Sequence, residues 1–210
     1  GGAEIINHGV INLSGAGSVL GGACCAGPQP MAWLRNAADG VVNLLDTGGW
    51  QGSYAPLTVE NAGLVRKVGG TGQSYISTVI NTGQVEVQSG SLYVATLTNN
   101  GRVDVESGAT LYVGAASGAG TYGTAAGGQI AVSGAPLGGT FSGPGPVQLS
   151  GTIAGTITGP NLVIDANSSV SGTFSYSGTV TWTGGTMAGV MTVAPGAVLN
   201  ITGVDHKRLG

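Results

Sequence analysis

Two neighbouring stretches of the chain are near-copies of each other. Asn81-Thr82-Gly83-Gln84-Val85-Glu86-Val87 leads on to Ser89-Gly90-Ser91-Leu92-Tyr93-Val94, and Asn100-Gly101-Arg102-Val103-Asp104-Val105 leads on to Ser107-Gly108-Ala109-Thr110-Leu111-Tyr112-Val113. Gly83 to Gly101 and Gly90 to Gly108 are both steps of 18 residues, and in a looser copy, Asn61-Ala62-Gly63-Leu64-Val65, Gly63 lies 20 residues before Gly83. A fixed period of this length, with alternating apolar residues between Gly-rich corners, is what one coil of a parallel solenoid needs, because each coil must end where the next begins. The expected fold class is therefore all-β: a single-stranded parallel β-helix of about 18–20 residues per coil.

The register follows from the alternation. Val85 and Val87, Val103 and Val105, Leu92 and Val94, and Leu111 and Val113 should point inward and stack in columns about 4.8 Å apart. Glu86, Tyr93, Asp104 and Tyr112, which fall between them, should face water. Upstream, Glu4-Ile5-Ile6-Asn7 and Val10-Ile11-Asn12-Leu13 read as a strand pair turning at His8-Gly9. Ser14 to Asn36, with Cys24-Cys25, Pro28-Gln29-Pro30 and then Met31, Trp33 and Leu34, reads as an irregular insertion or plug over the end or flank of the solenoid, and a short helix around Met31 to Ala38 is compatible with it. Downstream, segments such as Gly151 to Thr158 and Gly178 to Thr183 read as shorter strands punctuated by Gly. Together these features describe one β-solenoid domain over residues 1–210. Neither an initiator Met nor a signal segment opens the chain, and it stops directly after a coil, so both ends read as cut from a longer repetitive protein.

Composition narrows the function classes. Only 7% of residues are charged, against about 25% in ordinary soluble domains, and 42 are Gly. No charge occurs from Ser107 to Ile164, yet apolar residues recur throughout, so the stretch can build a core. With six Lys and Arg and a net charge of −3 there is no basic track for nucleic acid. No apolar run reaches the roughly 20 residues of a membrane-spanning helix. The adjacent pair Cys24-Cys25 cannot form a long-loop staple; a strained vicinal disulfide and two small buried or loop thiols both remain open.

Asn-x-Gly-x-Val with Ser-Gly-x-Leu-x-Val, together with Arg66-Lys67-Val68-Gly69-Gly70-Thr71-Gly72 and Trp182-Thr183-Gly184-Gly185-Thr186-Met187, resembles the repeats of large exported bacterial surface proteins. These are the autotransporter passengers and the filamentous-haemagglutinin-type adhesins. The resemblance covers about three quarters of the chain, outside residues 14–36, and is architectural in kind. It implies a right-handed parallel β-helix at the bacterial cell surface or outside the cell, and it carries over no catalytic residue and no cofactor.

Four sets of residues are candidates for chemistry. Glu86 and Asp104 occupy equivalent positions on adjacent coils with Glu106 one outward position on, so they can be read as a cation site, as an acid/base pair or as solvated surface acids. The nonapeptide of calcium-binding β-rolls is absent. Thr156, Thr158, Thr179, Thr181, Thr183 and Thr192 alternate as in ice-binding solenoids, and equally as in any wet strand face. Tyr54, Tyr75, Tyr93, Tyr112, Tyr122 and Tyr176 offer rings to sugars, with Tyr93 and Tyr112 vertically adjacent and thus the candidate glycan contact. Lys67 and Lys207 sit beside Arg residues, and His8 and His206 lie near opposite ends, so no catalytic set assembles.

The sequence therefore leads to a non-catalytic structural or adhesive segment, a stalk or a glycan-contacting surface, with an ice-binding or polysaccharide-processing β-helix as the alternative. Its partners would be neighbouring coils of a parent protein and surface glycans, not nucleic acid or a bilayer. Open coil edges add end-to-end self-association.

Overall fold

The computed structural model describes residues 2–21, 31–52, 57–133 and 137–210. Among them there is no helix, and 21 strands join in one sheet. The strands pair in parallel and stack as a β-solenoid with turns of roughly 19 residues. No helix among the described residues is long and apolar enough to cross a membrane.

The first turns show how the chain winds. Glu4–Asn7, Val10–Leu13 and Ser18–Gly21 make three sides. Ala32–Asn36 then returns onto the first, Val41–Leu44 onto the second and Gly49–Gly52 onto the third. His8-Gly9 is accordingly a corner between two sides, and the strand pair expected there does not form: each strand bonds to the next coil instead.

The irregular insertion expected over 14–36 is also narrower than its composition suggests. Ser18–Gly21 and Ala32–Asn36 are rungs of the ladder. Leu34, fully buried, sits in register between Ile5 and Val59, so Ala32–Asn36 is a strand and the short helix compatible with Met31 to Ala38 does not form. Residues 22–30, with Cys24 and Cys25, lie outside the described residues, as does Tyr54.

Inside the coil the expected columns are present. Val65, Val85, Val103 and Tyr122 stack in register on one side, and Ile76, Val94, Val113 and Val132 on another. All eight residues assigned inward between Val85 and Val113 are at most 1% exposed, whereas Glu86, Tyr93 and Asp104 are half-buried and Tyr112 is exposed. Parity places one charge inside as well. Lys67 lies fully buried between Leu44 and Val87, and its ammonium donates to Gly69 O.

The repeating glycines are dictated by coil-on-coil contact. A Cβ on Gly83 would lie 2.3 Å from Gly63 O, and one on Gly101 would lie 2.2 Å from Gly83 O, closer than any side chain is tolerated. The other marker needs a different property of Gly: Gly90 and Gly108 turn their corners at φ 61° and 76°, in the left-handed region.

Beside these glycines runs a second, polar column. Asn7, Asn36, Asn61, Asn81 and Asn99 stack inside one corner, each Nδ2 donating to the next Oδ1 at 2.7, 2.7, 2.8 and 2.8 Å. The second N–H of Asn61 and of Asn81 reaches a backbone carbonyl, Gln84 O at 2.8 Å and Arg102 O at 3.1 Å. Carboxamides suit this place because each carries donors at one end and an acceptor at the other, so a head-to-tail stack leaves neither unpaired. The ladder stops after Asn99, where Gly118 takes the next position on the coil.

In the C-terminal third the strands are longer than expected, not shorter. Val147–Ile164 spans 18 residues and Ser169–Trp182 spans 14. Gly151, Gly172 and Gly178 adopt φ values of 93°, 100° and 105°, bending the strand at the corners; pairing runs on through the first two, and the register shifts directly after Gly178, where Val180 pairs with Leu162.

Candidate functional site

The outward residues of the second side form one line up the solenoid: Asn12, Asn43, Arg66, Glu86, Asp104, Gly123 and Ser142. Register brings Glu86 and Asp104 together, but their oxygens are already engaged. Gln84 Nε2 donates to Glu86 Oε1 at 2.8 Å and to Asp104 Oδ2 at 3.0 Å, so one amide spans the two carboxylates. Gln88 Nε2 takes Glu86 Oε2 at 2.9 Å, and Arg102 Nε takes Asp104 Oδ2 at 2.6 Å. The Arg102 guanidinium is raised above its ordinary pKa chiefly by that bond to Asp104. Glu106 stands one corner further on, exposed. Among the described residues no three His, Cys, Asp or Glu side chains gather as a cation site would require.

Other charges are spent between coils. Arg35 pairs with Glu4 and with Glu60 and lies over the Trp33 ring, 5.1 Å from its centroid. His8 Nδ1 meets Asp39 Oδ1 at 3.0 Å at one end of the solenoid, while His206 lies at the other beside Asp205 and Arg208.

The hydroxyl face is partly what its composition suggests. Thr152 meets Ser171 at 3.1 Å, Thr156 meets Ser175 at 3.2 Å and Thr158 meets Ser177 at 3.0 Å. Thr therefore stacks on Ser, each hydroxyl bonding to its neighbour, and the next rung continues with Ala188 and Thr192 rather than with a constant Thr pair.

The tyrosines divide by parity. Tyr122 and Tyr176 are 1% and 0% exposed, pointing into the core, where Tyr122 stacks on Phe141 with centroids 4.8 Å apart. They are not part of a sugar-facing surface. Burial pushes the Tyr122 phenol up to about 12, with the Asn99 amide opposing the rise. The sequence held the signal that separates them: Tyr122 follows Gly120 by two, as Val85 follows Gly83 and Val103 follows Gly101.

Tyr75, Tyr93 and Tyr112 remain as an outward column in register. Tyr75 and Tyr93 are stacked, with centroids 5.2 Å apart and planes 11° from parallel. Tyr112 is 39% exposed, and the column continues through Ala131 to Gln148. Beside Tyr112 opens a shallow cavity of about 210 Å³, bordered also by Tyr93, Ala131, Ser133, Gln148, Ser150 and Asn167. Gln148 Nε2 is bonded to Asp165, whose Oδ1 also accepts from Ser168 Oγ at 2.9 Å.

No protein-family model matches the chain, and neither a curated protein nor a solved structure matches it.

Proposed function

We propose that this chain is a structural and adhesive solenoid segment of an exported bacterial surface protein, non-catalytic, serving as a stalk with a contact face for glycans. The observation that carries the reading is the continuity of the parallel ladder from Glu4 to Leu209, reinforced by stacked core columns and the buried asparagine ladder. Each coil is held by its neighbours, so length is gained in steps of about 4.8 Å without any new kind of contact. That is the property a spacer needs. Engagement of Glu86 and Asp104 by Gln84, Gln88 and Arg102 supports a structural use of those carboxylates over an acid/base one.

Antibodies raised against the outward face around Tyr112 should label intact source cells, and external protease should remove that label. Labelling that appears only after permeabilisation overturns the surface reading. A second reading, ice binding, draws on the Thr152, Thr156 and Thr158 face. Thermal hysteresis in a solution of the chain would favour it.

A further inference from the structure

We propose that the slot above Tyr112 is a saccharide subsite that takes one neutral pyranose ring of a glycan lying along the solenoid. The proposal rests on the adhesive reading and names the ligand class and residues for its contact face.

Tyr112 is placed differently from the other two rings of its column. Tyr75 and Tyr93 cover each other, at 5.2 Å and 11°, so the faces between them are taken. Tyr93 also leans along the axis, since a Cβ on Gly114 of the next coil would sit 3.0 Å from its hydroxyl. Beyond Tyr112 the register partner is Ala131, whose methyl group cannot fill the rung, and only at Gln148 does a long side chain return. With coils about 4.8 Å apart, Tyr112 and Gln148 lie about 9.6 Å apart centre to centre, and the missing side chain leaves a free gap of about 6 Å between an aromatic ring and an amide.

The chemistry of the slot suits a sugar. A pyranose offers a face of C–H groups to an aromatic ring and a rim of hydroxyls to polar neighbours. Here Tyr112, the Ala131 methyl and the edge of Tyr93 supply the apolar surface, and Ser133, Ser150 and Asn167 line the sides. The cavity, about 210 Å³, falls below the roughly 300 Å³ at which pockets for drug-sized ligands begin, so it holds a single ring and leaves the rest of a glycan on the surface. Asp165 is held beside the slot by Gln148 and Ser168, and no Lys or Arg is among the residues that border it. A sulfated or uronic-acid chain would meet no counter-charge there. A neutral hexose needs none.

Saturation-transfer NMR on the folded chain tests this with cellotetraose, maltotetraose and mannotetraose as neutral probes and a heparin tetrasaccharide as the charged one. At least one neutral probe should receive saturation at its ring C–H protons, and the heparin fragment should not. Tyr112→Ala should weaken that binding roughly tenfold, the loss of about one good aromatic contact, while Tyr112→Phe retains it. Ala131→Leu, which fills the slot and leaves the ladder paired, should abolish it, and Tyr75→Ala should not change it. Absence of transfer from every neutral probe, or transfer that survives both Tyr112→Ala and Ala131→Leu, overturns the subsite. Surface labelling of cells is independent of this result: labelling without sugar binding removes the subsite alone, and sugar binding without labelling removes the surface reading alone.

Discussion

Asn81 Nδ2 donates to Asn99 Oδ1 at 2.8 Å across one coil, and both side chains are wholly buried. Four such bonds tie five coils together at one corner, although the sequence distances they span fall from 29 to 25, 20 and 18 residues. The turns differ in length while the corner keeps one geometry. In a buried setting each amide group has no water to fall back on, so the ladder fixes which residue of one coil sits over which residue of the next.

Asn81→Leu should cost about 2–4 kcal/mol in chemical denaturation, because it removes two ladder bonds and leaves Arg102 O, which accepts at 3.1 Å, without its side-chain donor. Asn7→Leu, at the open end of the ladder, should cost less, about 1–2 kcal/mol: it loses one ladder bond, and its bonds to Val41 O at 3.2 Å and from Gly9 N–H at 3.1 Å lie nearer solvent. Equal costs at the two positions would mean that the ladder contributes nothing beyond individual contacts.

Val103→Asp should destabilise the chain by several kcal/mol, placing an unpaired charge where the native residue is 0% exposed. Asp104→Asn, one residue on, should change stability by less than about 1 kcal/mol, because Asp104 lies on the wet face and its Arg102 partner is largely exposed. Urea midpoints of the two variants, compared with the parent, check the assigned register directly.

How far the sequence could be read depended on how regular the spacing was. Between Asn81 and Val113 the steps are 18 or 19 residues, so inward and outward parity could be assigned residue by residue, and the buried valines and leucines follow it. Upstream, the steps from Asn7 to Asn36 and on to Asn61 lengthen to 29 and 25 residues, which hides the alignment of these asparagines and makes Ser18–Gly21 and Ala32–Asn36 resemble irregular chain. Residue type misled at Lys67, Tyr122 and Tyr176, polar-tipped side chains that parity sends inward. At the candidate sites the stacking of Glu86 on Asp104 was legible, but the amide bridging them was not, because Gln84 reaches across coils by side-chain length rather than by register.

Lys67 gives a pH-dependent test. Burial lowers its pKa, with Asp46 opposing. The unfolded chain keeps the proton up to the ordinary value of about 10.4 while the folded chain releases it lower, so stability rises with pH between the two. Lys67→Met, similar in volume and free of this penalty, should be more stable than the parent by about 1–2 kcal/mol near pH 7. The advantage should narrow towards about pH 10, where the parent's lysine folds uncharged. Thermal melts of both proteins at the two pH values measure it; an advantage that widens with pH would show that Lys67 folds stably as the ammonium.

At the C-terminal face the last full coil presents both apolar side chains and an open backbone edge. Leu199 and Ile201 continue the inward columns of Val180 and Trp182, yet Ile201 is 59% exposed, and Val198 beside them is 48% exposed. Thr202 N–H points back to Trp182 O at 3.0 Å, so by the alternation of a strand the N–H groups of Ile201 and Leu199 point the other way, towards the open side. A polypeptide of these 210 residues should therefore self-associate end to end through this face as its concentration rises, adding strands to the ladder and covering Ile201. Ile201→Pro deletes one outward N–H without removing a bond to the preceding coil, and it should shift association to markedly higher concentration while leaving the melting temperature almost unchanged. Sedimentation velocity over a wide concentration range follows both proteins. A parent chain that stays monomeric throughout, or a proline variant that associates as strongly as the parent, would show that this edge does not drive assembly.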